Sequence, residues 1–304
     1  MQYDLQGMFS AADVDREDLS MPDHPRPWCP YPEGRSVQSL LEAADEAQRG
    51  GDLVAAGNWY VYAARLGDVG ARERLSALLS SIEDLSVAGD ADATALLAGI
   101  MLIAGSDLSR ARALFLEAAA QGVPEAKRGM GFMLNSGVGG PKDLAEANAY
   151  FQSAMEGGDS YAAYNLAVNV KVGAGAKPDL KKYMDLLRFA AREGLPEACA
   201  LLGDELSAVD RDVEAFQWYL RAAKSGHAPA MFVVGCWYRG GIGTQVDGVQ
   251  AIRWFLSMLD RGNADGIHQA NDLARYMTAD QVREGGRLAG REVEAELLIG
   301  SHGQ

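Results

Sequence analysis

The chain has 304 residues, 48% of them hydrophobic and 23% charged, proportions of a globular protein rather than of a disordered or fibrous one. Its 28 Lys and Arg stand against 42 Asp and Glu for a formal charge of -14, which repels phosphate backbones and anionic lipid and argues against nucleic acid and membrane as partners. Three scattered cysteines, Cys29, Cys199 and Cys236, support neither a disulfide framework nor a Cys-rich zinc site and predict a reducing, cytoplasmic setting.

In chain order, residues 1–35 read as an acidic tail in which five prolines fall within residues 21–34, favouring extended chain over helix. Trp28 and Tyr31 in this segment would anchor a strap or a displaceable lid. The start has neither a basic n-region nor an apolar h-region, so no secretory signal is expected. No stretch approaches the roughly 18 consecutive apolar residues of a membrane helix.

From residue 36 the sequence repeats itself. Gly67, Gly122, Gly158, Gly194, Gly226 and Gly262 close Ala-rich stretches at spacings of 55, 36, 36, 32 and 36, and Gly89 divides the long gap. Before each glycine a bulky pair recurs, such as Trp59 and Tyr60, Tyr150 and Phe151, or Trp218 and Tyr219, one turn from Ala63, Ala154 or Ala222. Trp59, Trp218 and Trp254 share one such column and are predicted to be core. After each glycine a large residue stands beside a tiny one, as in Met130–Gly131, Leu202–Gly203 and Val234–Gly235, the mark of close helix approach. Between the two stretches lie turns, GVGGPKD at 137–143, GAGAKPD at 173–179 and GGIGTQVD at 240–247, with glycines for positive φ and an aspartate to cap the next helix. Each unit predicts an αα-hairpin. The copy at 67–89 would have a very short second helix, and the copy at 198–226 has a turn, DELSAVDRDV, without glycine.

These columns, seen best at 126–158 and 228–262, resemble Sel1-like repeats, relatives of the tetratricopeptide repeats. The resemblance implies an all-α fold: a right-handed αα-hairpin solenoid of about seven repeats over residues 36–277. Residues 278–304 would supply a C-terminal capping helix, opened by a capping box at Thr278 and Gln281 and running to 298, and a frayed end.

The chemistry is sparse. His24, His227, His268 and His302 share no ligand spacing, no metal or cofactor motif occurs, and His227 in SGHAP reads as a cap. The glycine turns follow helices and lack a P-loop lysine, and Cys199 and Cys236 have no base beside them by motif. No enzyme is expected. By the resemblance, a groove is lined by the sixth, tenth and thirteenth residues after each glycine. These columns supply Arg128, Tyr164, Phe232 and His268, then Phe132, Cys236, Asp204 and Asp272, then Asn135, Lys171, Arg239 and Arg275. Phe132, Tyr164 and Phe232 would be anchors and the basic residues orienting contacts for another protein or peptide, acidic and partly apolar. The expectation is a non-catalytic adaptor or scaffold; the alternative is an accessory regulatory subunit of an enzyme or transcription factor, with the Pro-rich segment as its lid.

Overall fold

The computed structural model describes residues 37–261 and 263–301, so the Pro-rich segment with Trp28, Tyr31, His24 and Cys29, and His302 at the other end, lie outside the described residues. Among the described residues the secondary structure is sixteen α-helices and one short 3-10 helix. The chain divides into two compact units at Ala190 and Ala191.

The first unit contains α1 (Val37–Arg49), α2 (Leu53–Arg65), α3 (Val69–Val87), α4 (Ala91–Ala104), α5 (Leu108–Ala120), α6 (Pro124–Ser136), α7 (Leu144–Glu156) and α8 (Ser160–Val172). Helix α9 (Leu180–Arg192) runs across the boundary. Successive helices from α1 to α8 pack on one another, and α2 also touches α4. The second unit holds α10 (Pro196–Ser207), α11 (Asp212–Lys224), α12 (Ala228–Gly240), α13 (Gly248–Ser257) with the 3-10 turn Met258–Arg261, α14 (Asp265–Ala274), α15 (Ala279–Ala289) and α16 (Glu292–Gly300).

Local sequence explains the helix boundaries. Gly67, Gly89, Gly122, Gly158, Gly194 and Gly226 all have φ between +91° and +99°, a conformation that glycine adopts without steric cost. After Gly122 and Gly194 the next helix opens on Pro124 or Pro196 without a side-chain cap, whereas after the others a side chain caps it, as when Asp90 accepts from the Ala93 amide at 2.9 Å and Asp159 from Ala162 at 2.8 Å. His227 does the same through Nδ1, accepting from Ala230 at 3.2 Å. In the glycine-free turn of the second unit it is Asp210 that takes the left-handed conformation, at φ +58°.

Tiny residues admit rings. A Cβ at Gly131 would lie 2.6 Å from the Phe151 ring, at Gly203 2.8 Å from Tyr219, and at Gly235 2.6 Å from Phe255. In each case the ring of the hairpin's second helix fills the space over the first, and Phe151 and Phe255 are fully buried. The turns join one hairpin to its predecessor: a Cβ at Gly139 would meet the Leu108 carbonyl oxygen at 2.5 Å, and one at Gly175 the Leu144 oxygen at 2.5 Å.

Three expectations change. The copy at 67–89 is not a helix pair but one 19-residue helix, α3, because no glycine or proline interrupts the run from Ala71 to Ala88. The segment after Thr278 has the expected capping box, yet it forms two helices, since Gly290 at φ +66° ends α15. Val282, Ala295 and Leu298 from these helices join Ile252 and Phe255 in one buried cluster. Of the three tryptophans predicted as core, Trp254 is buried, whereas Trp59 and Trp218 are only half-buried.

Candidate functional site

In the first unit the three columns expected to face a groove are largely enclosed. Every residue of α4 from Ala93 to Met101 and of α8 from Ala162 to Val170 is buried. Nine consecutive residues cover all sides of a helix that turns 100° per residue, so no register of α8 offers a wet face there. Tyr164, expected as an anchor, is accordingly 1% exposed and part of the packing. Arg128, expected as an orienting cation, is also 1% exposed: its Nε lies 3.1 Å from Asp159 Oδ2, and its guanidinium stands 5.4 Å from the Tyr161 ring centre. The charge of Arg128 is thus neutralised within the fold. Phe132 is half-buried. Asn135, also half-buried, accepts a hydrogen bond from Asn169 at 2.9 Å. Lys171 is exposed and holds its ammonium 5.3 Å from the Tyr183 ring centre.

In the second unit the same columns meet solvent. Asp204 is exposed and accepts from the Tyr219 hydroxyl; burial and this carboxylate together push the phenol well above its usual range. Phe232 is half-buried, its ring centre 6.0 Å from that of Phe255, so it leans on the core while keeping one face outward. Cys236 is half-buried and burial raises its thiol pKa, which keeps it protonated and poorly nucleophilic at neutral pH. Arg239 is exposed and donates to Gln269 Oε1 at 2.6 Å. His268 is exposed, and Asp272 and Arg275 form a loose pair at 3.9 Å.

A feature that sequence reasoning missed lies in the first unit. A cavity of about 670 Å³ opens where α2 faces the first turns of α4, α6 and α8. Trp59, Tyr62 and Tyr161 line it, together with Asp52, Asp90, Asp92, Glu125, Asp159 and Arg128. Asp92 has its carboxyl pKa raised, first by burial and then by the neighbouring carboxylates Asp90, Glu125 and Asp52. The available signal was the recurrence of acidic residues at helix entrances, but each one is explained locally as a cap or first-turn residue. Only packing brings four entrances together. Among the described residues, no three His, Cys, Asp or Glu side chains gather into a metal site.

The Sel1 repeat model matches residues 91–123, 124–159, 160–195, 196–227 and 228–263, more than half of the chain. Two curated proteins are similar over part of their length. One is the chitin synthase regulator SKT5 of Malassezia restricta, 32% identical over 130 residues, 40% of this chain and 9% of that protein. The other is DAP3-binding cell death enhancer 1 of Rattus norvegicus, 29% identical over 161 residues, 52% of this chain and 32% of that protein. The chain therefore spans less than a third of either relative. Among solved structures, a Sel1 repeat protein from Oxalobacter formigenes superposes with a TM-score of 0.60 at 24% identity, covering 78% of this chain and 76% of that one, a likeness of fold.

Proposed function

We propose, on the premise that this chain belongs to the Sel1 repeat family of tetratricopeptide-like helical proteins, that it is a non-catalytic adaptor that binds another protein or peptide. Sel1 repeats typically mediate protein–protein interaction, and an array of stacked helix pairs suits a scaffold role. The observation that carries the reading is in the second unit, where Phe232 is half-buried against the core cluster and Arg239 on the same helix, with His268, Asp272 and Arg275 of the matching repeat columns, is exposed. An aromatic ring fixed by packing from behind and flanked by polar groups is the usual anatomy of a binding hot spot.

The preference for an acidic client loses Arg128, whose charge Asp159 already balances, and keeps the exposed Lys171, Arg239 and Arg275 as its basic groups. Residues 36–277 would form the binding array, residues 278–304 its cap, and the cytoplasm its setting. The accessory-subunit alternative draws support from the name of one relative, a chitin synthase regulator; its lid, the Pro-rich segment, lies outside the described residues.

Affinity purification from the native cell with mass spectrometry, run in parallel with Arg239→Ala and Phe232→Tyr, tests the reading. Recovery of one stoichiometric protein that both substitutions weaken supports it. Recovery of no protein across salt and cross-linking conditions removes it.

A further inference from the structure

Helix α9 and the turn before it form a basic stretch in an acidic chain. Residues 171–192 hold Lys171, Lys177, Lys181, Lys182, Arg188 and Arg192 against Asp179 and Asp185, whereas the whole chain has a formal charge of -14. Both carboxylates are engaged locally: Asp179 Oδ1 accepts from the Lys182 amide at 2.9 Å, and Asp185 Oδ1 lies 3.7 Å from Arg188 Nη1. The ammonium groups of Lys181 and Lys182 are exposed and have no carboxylate partner among the described residues.

The same two lysines line a cavity of about 450 Å³ between α7 and α9, together with Met155, Leu186 and Phe189. Leu186 is buried, while Met155 and Phe189 are half-buried and leave apolar surface open to water. A simple anion would leave that surface wet, and a purely apolar segment would leave the two cations unmatched. An apolar side chain directly preceded by carboxylates answers both.

The chain itself supplies that pattern. Thirty-six residues precede Val37 and lie outside the described residues. Within residues 1–23, Asp4, Asp13, Asp15, Glu17, Asp18 and Asp23 stand against Arg16 alone, and the pair Glu17–Asp18 comes directly before Leu19. Residues 20–36 then connect Leu19 to α1, and with five prolines in 21–34 an extended chain of roughly 3.1 Å per residue would span about 50 Å. Four packed steps, α1 to α2, α2 to α4, α4 to α6 and α6 to α7, lead from the start of the described chain to the helix that lines the cavity. At about 8–10 Å per helix contact these steps amount to roughly 40 Å at most, within the reach of that connection.

We propose that Leu19 of the chain's own N-terminal segment seats in the cavity between α7 and α9, with Glu17 and Asp18 meeting Lys181 and Lys182. While the segment is seated, the groove is closed to outside segments of the same chemistry. The inference does not rest on the adaptor reading, which is carried by residues of the second unit.

The test uses the full chain, 15N-labelled. Leu19→Ala should move the amides of Met155 and Phe189, whereas Leu5→Ala, a control in the same segment, should leave them in place. Carbodiimide, which joins a carboxylate to an amine in contact with it, should link Glu17 or Asp18 to Lys181 or Lys182, and the initial rate should fall by up to about tenfold in Leu19→Ala, as loss of one buried leucine side chain implies. Lys181→Glu combined with Lys182→Glu should shift the amides of Glu17, Asp18 and Leu19 at an unchanged melting temperature. Adding Glu17→Lys and Asp18→Lys to that variant should return Met155 and Phe189 to their parent positions, because the charges are exchanged and the apolar contact is kept. Unmoved Met155 and Phe189 amides in Leu19→Ala, equal effects of Leu5→Ala, cross-links confined to other pairs, or no recovery on charge exchange would each overturn the proposal. Shifts that grow with protein concentration would overturn it too, since they would place the segment on a second copy of the chain.

Discussion

Asn169 donates from Nδ2 to Asn135 Oδ1 at 2.9 Å and to Asn148 Oδ1 at 2.8 Å, joining α6, α7 and α8 through one side chain. Asn148 in turn donates to the Ala174 carbonyl at 2.7 Å, in the turn that follows α8. Asn169 is only 3% exposed, so the network replaces water for side chains that would otherwise be costly to bury. Asn169→Ala should therefore cost about 2–4 kcal/mol, with partners left unmatched as well as bonds lost. Asn169→Asp, which removes both donors and adds charge, should cost more at neutral pH. Urea denaturation of the two variants measures the difference, and equal stability to the parent would show that water serves these groups as well as Asn169 does.

Gly131→Ala and Gly235→Ala each place a methyl group 2.6 Å from a buried ring. The gain in helix propensity, about 1 kcal/mol, is smaller than the overpacking cost of about 1–3 kcal/mol, so both variants should be less stable. Gly70→Ala is the control, because its Cβ would meet nothing nearer than Asp68 Oδ1 at 3.4 Å. It should be neutral or mildly stabilising. Thermal melts of the three decide it, and Phe151→Leu should recover part of the loss in Gly131→Ala by shrinking the ring.

The Arg128–Asp159 pair is buried on both sides, with side chains 2% and 6% exposed. Asp159→Asn keeps an oxygen to cap Ala162 but leaves a buried guanidinium without its counter-charge. The expected loss is about 3–5 kcal/mol. Arg128→Met in the same chain removes the stranded charge and should restore much of it. A double-mutant cycle read by denaturant midpoints would give additive losses if the pair were not coupled.

Burial of Asp92, and after it the neighbouring carboxylates, make stability pH-dependent with a definite sign. Its folded pKa is raised, so the folded state holds the proton more tightly than the unfolded chain does, and the ionised form is a destabilising presence above that raised pKa. The penalty is fully present at neutral pH, shrinks as pH falls through the raised value, and vanishes below the ordinary carboxylate range. Asp92→Asn should then melt higher than the parent at pH 7 and alike at pH 3. A difference that grew toward acid would contradict the assignment.

Phe232 and Arg239 should separate folding from binding. Phe232 leans on the cluster around Phe255, so Phe232→Ala should cost about 1–3 kcal/mol of stability together with any client affinity. Arg239 is exposed and its hydrogen bond among the described residues goes to Gln269 on α14, so Arg239→Ala should leave the melting temperature unchanged and weaken a client mainly at low salt. Melting curves and client titrations at two ionic strengths check both.

The helices and their order were legible in the amino-acid sequence because their signals are local. A glycine that must take positive φ, an aspartate that caps the following turn, and a bulky residue set against a tiny one each act within a few residues, and Gly158, Asp159 and the Gly131–Phe151 pair show all three. The lone helix α3 was not legible, since the same glycine spacing accommodates either one long helix or two short ones. Which columns meet water was decided by tertiary structure alone. Arg128 and Tyr164 occupy the same repeat position as Phe232 and His268, yet the first two are enclosed while Phe232 keeps an open face and His268 is exposed. A helix's own sequence orients its faces relative to one another, but burial depends on how many neighbours reach each face, and α8 is covered on all sides from Ala162 to Val170. The acidic cavity has the same origin: each carboxylate is an ordinary helix-entrance residue in the sequence, and only the tertiary arrangement of four helix entrances brings five such residues to one cavity.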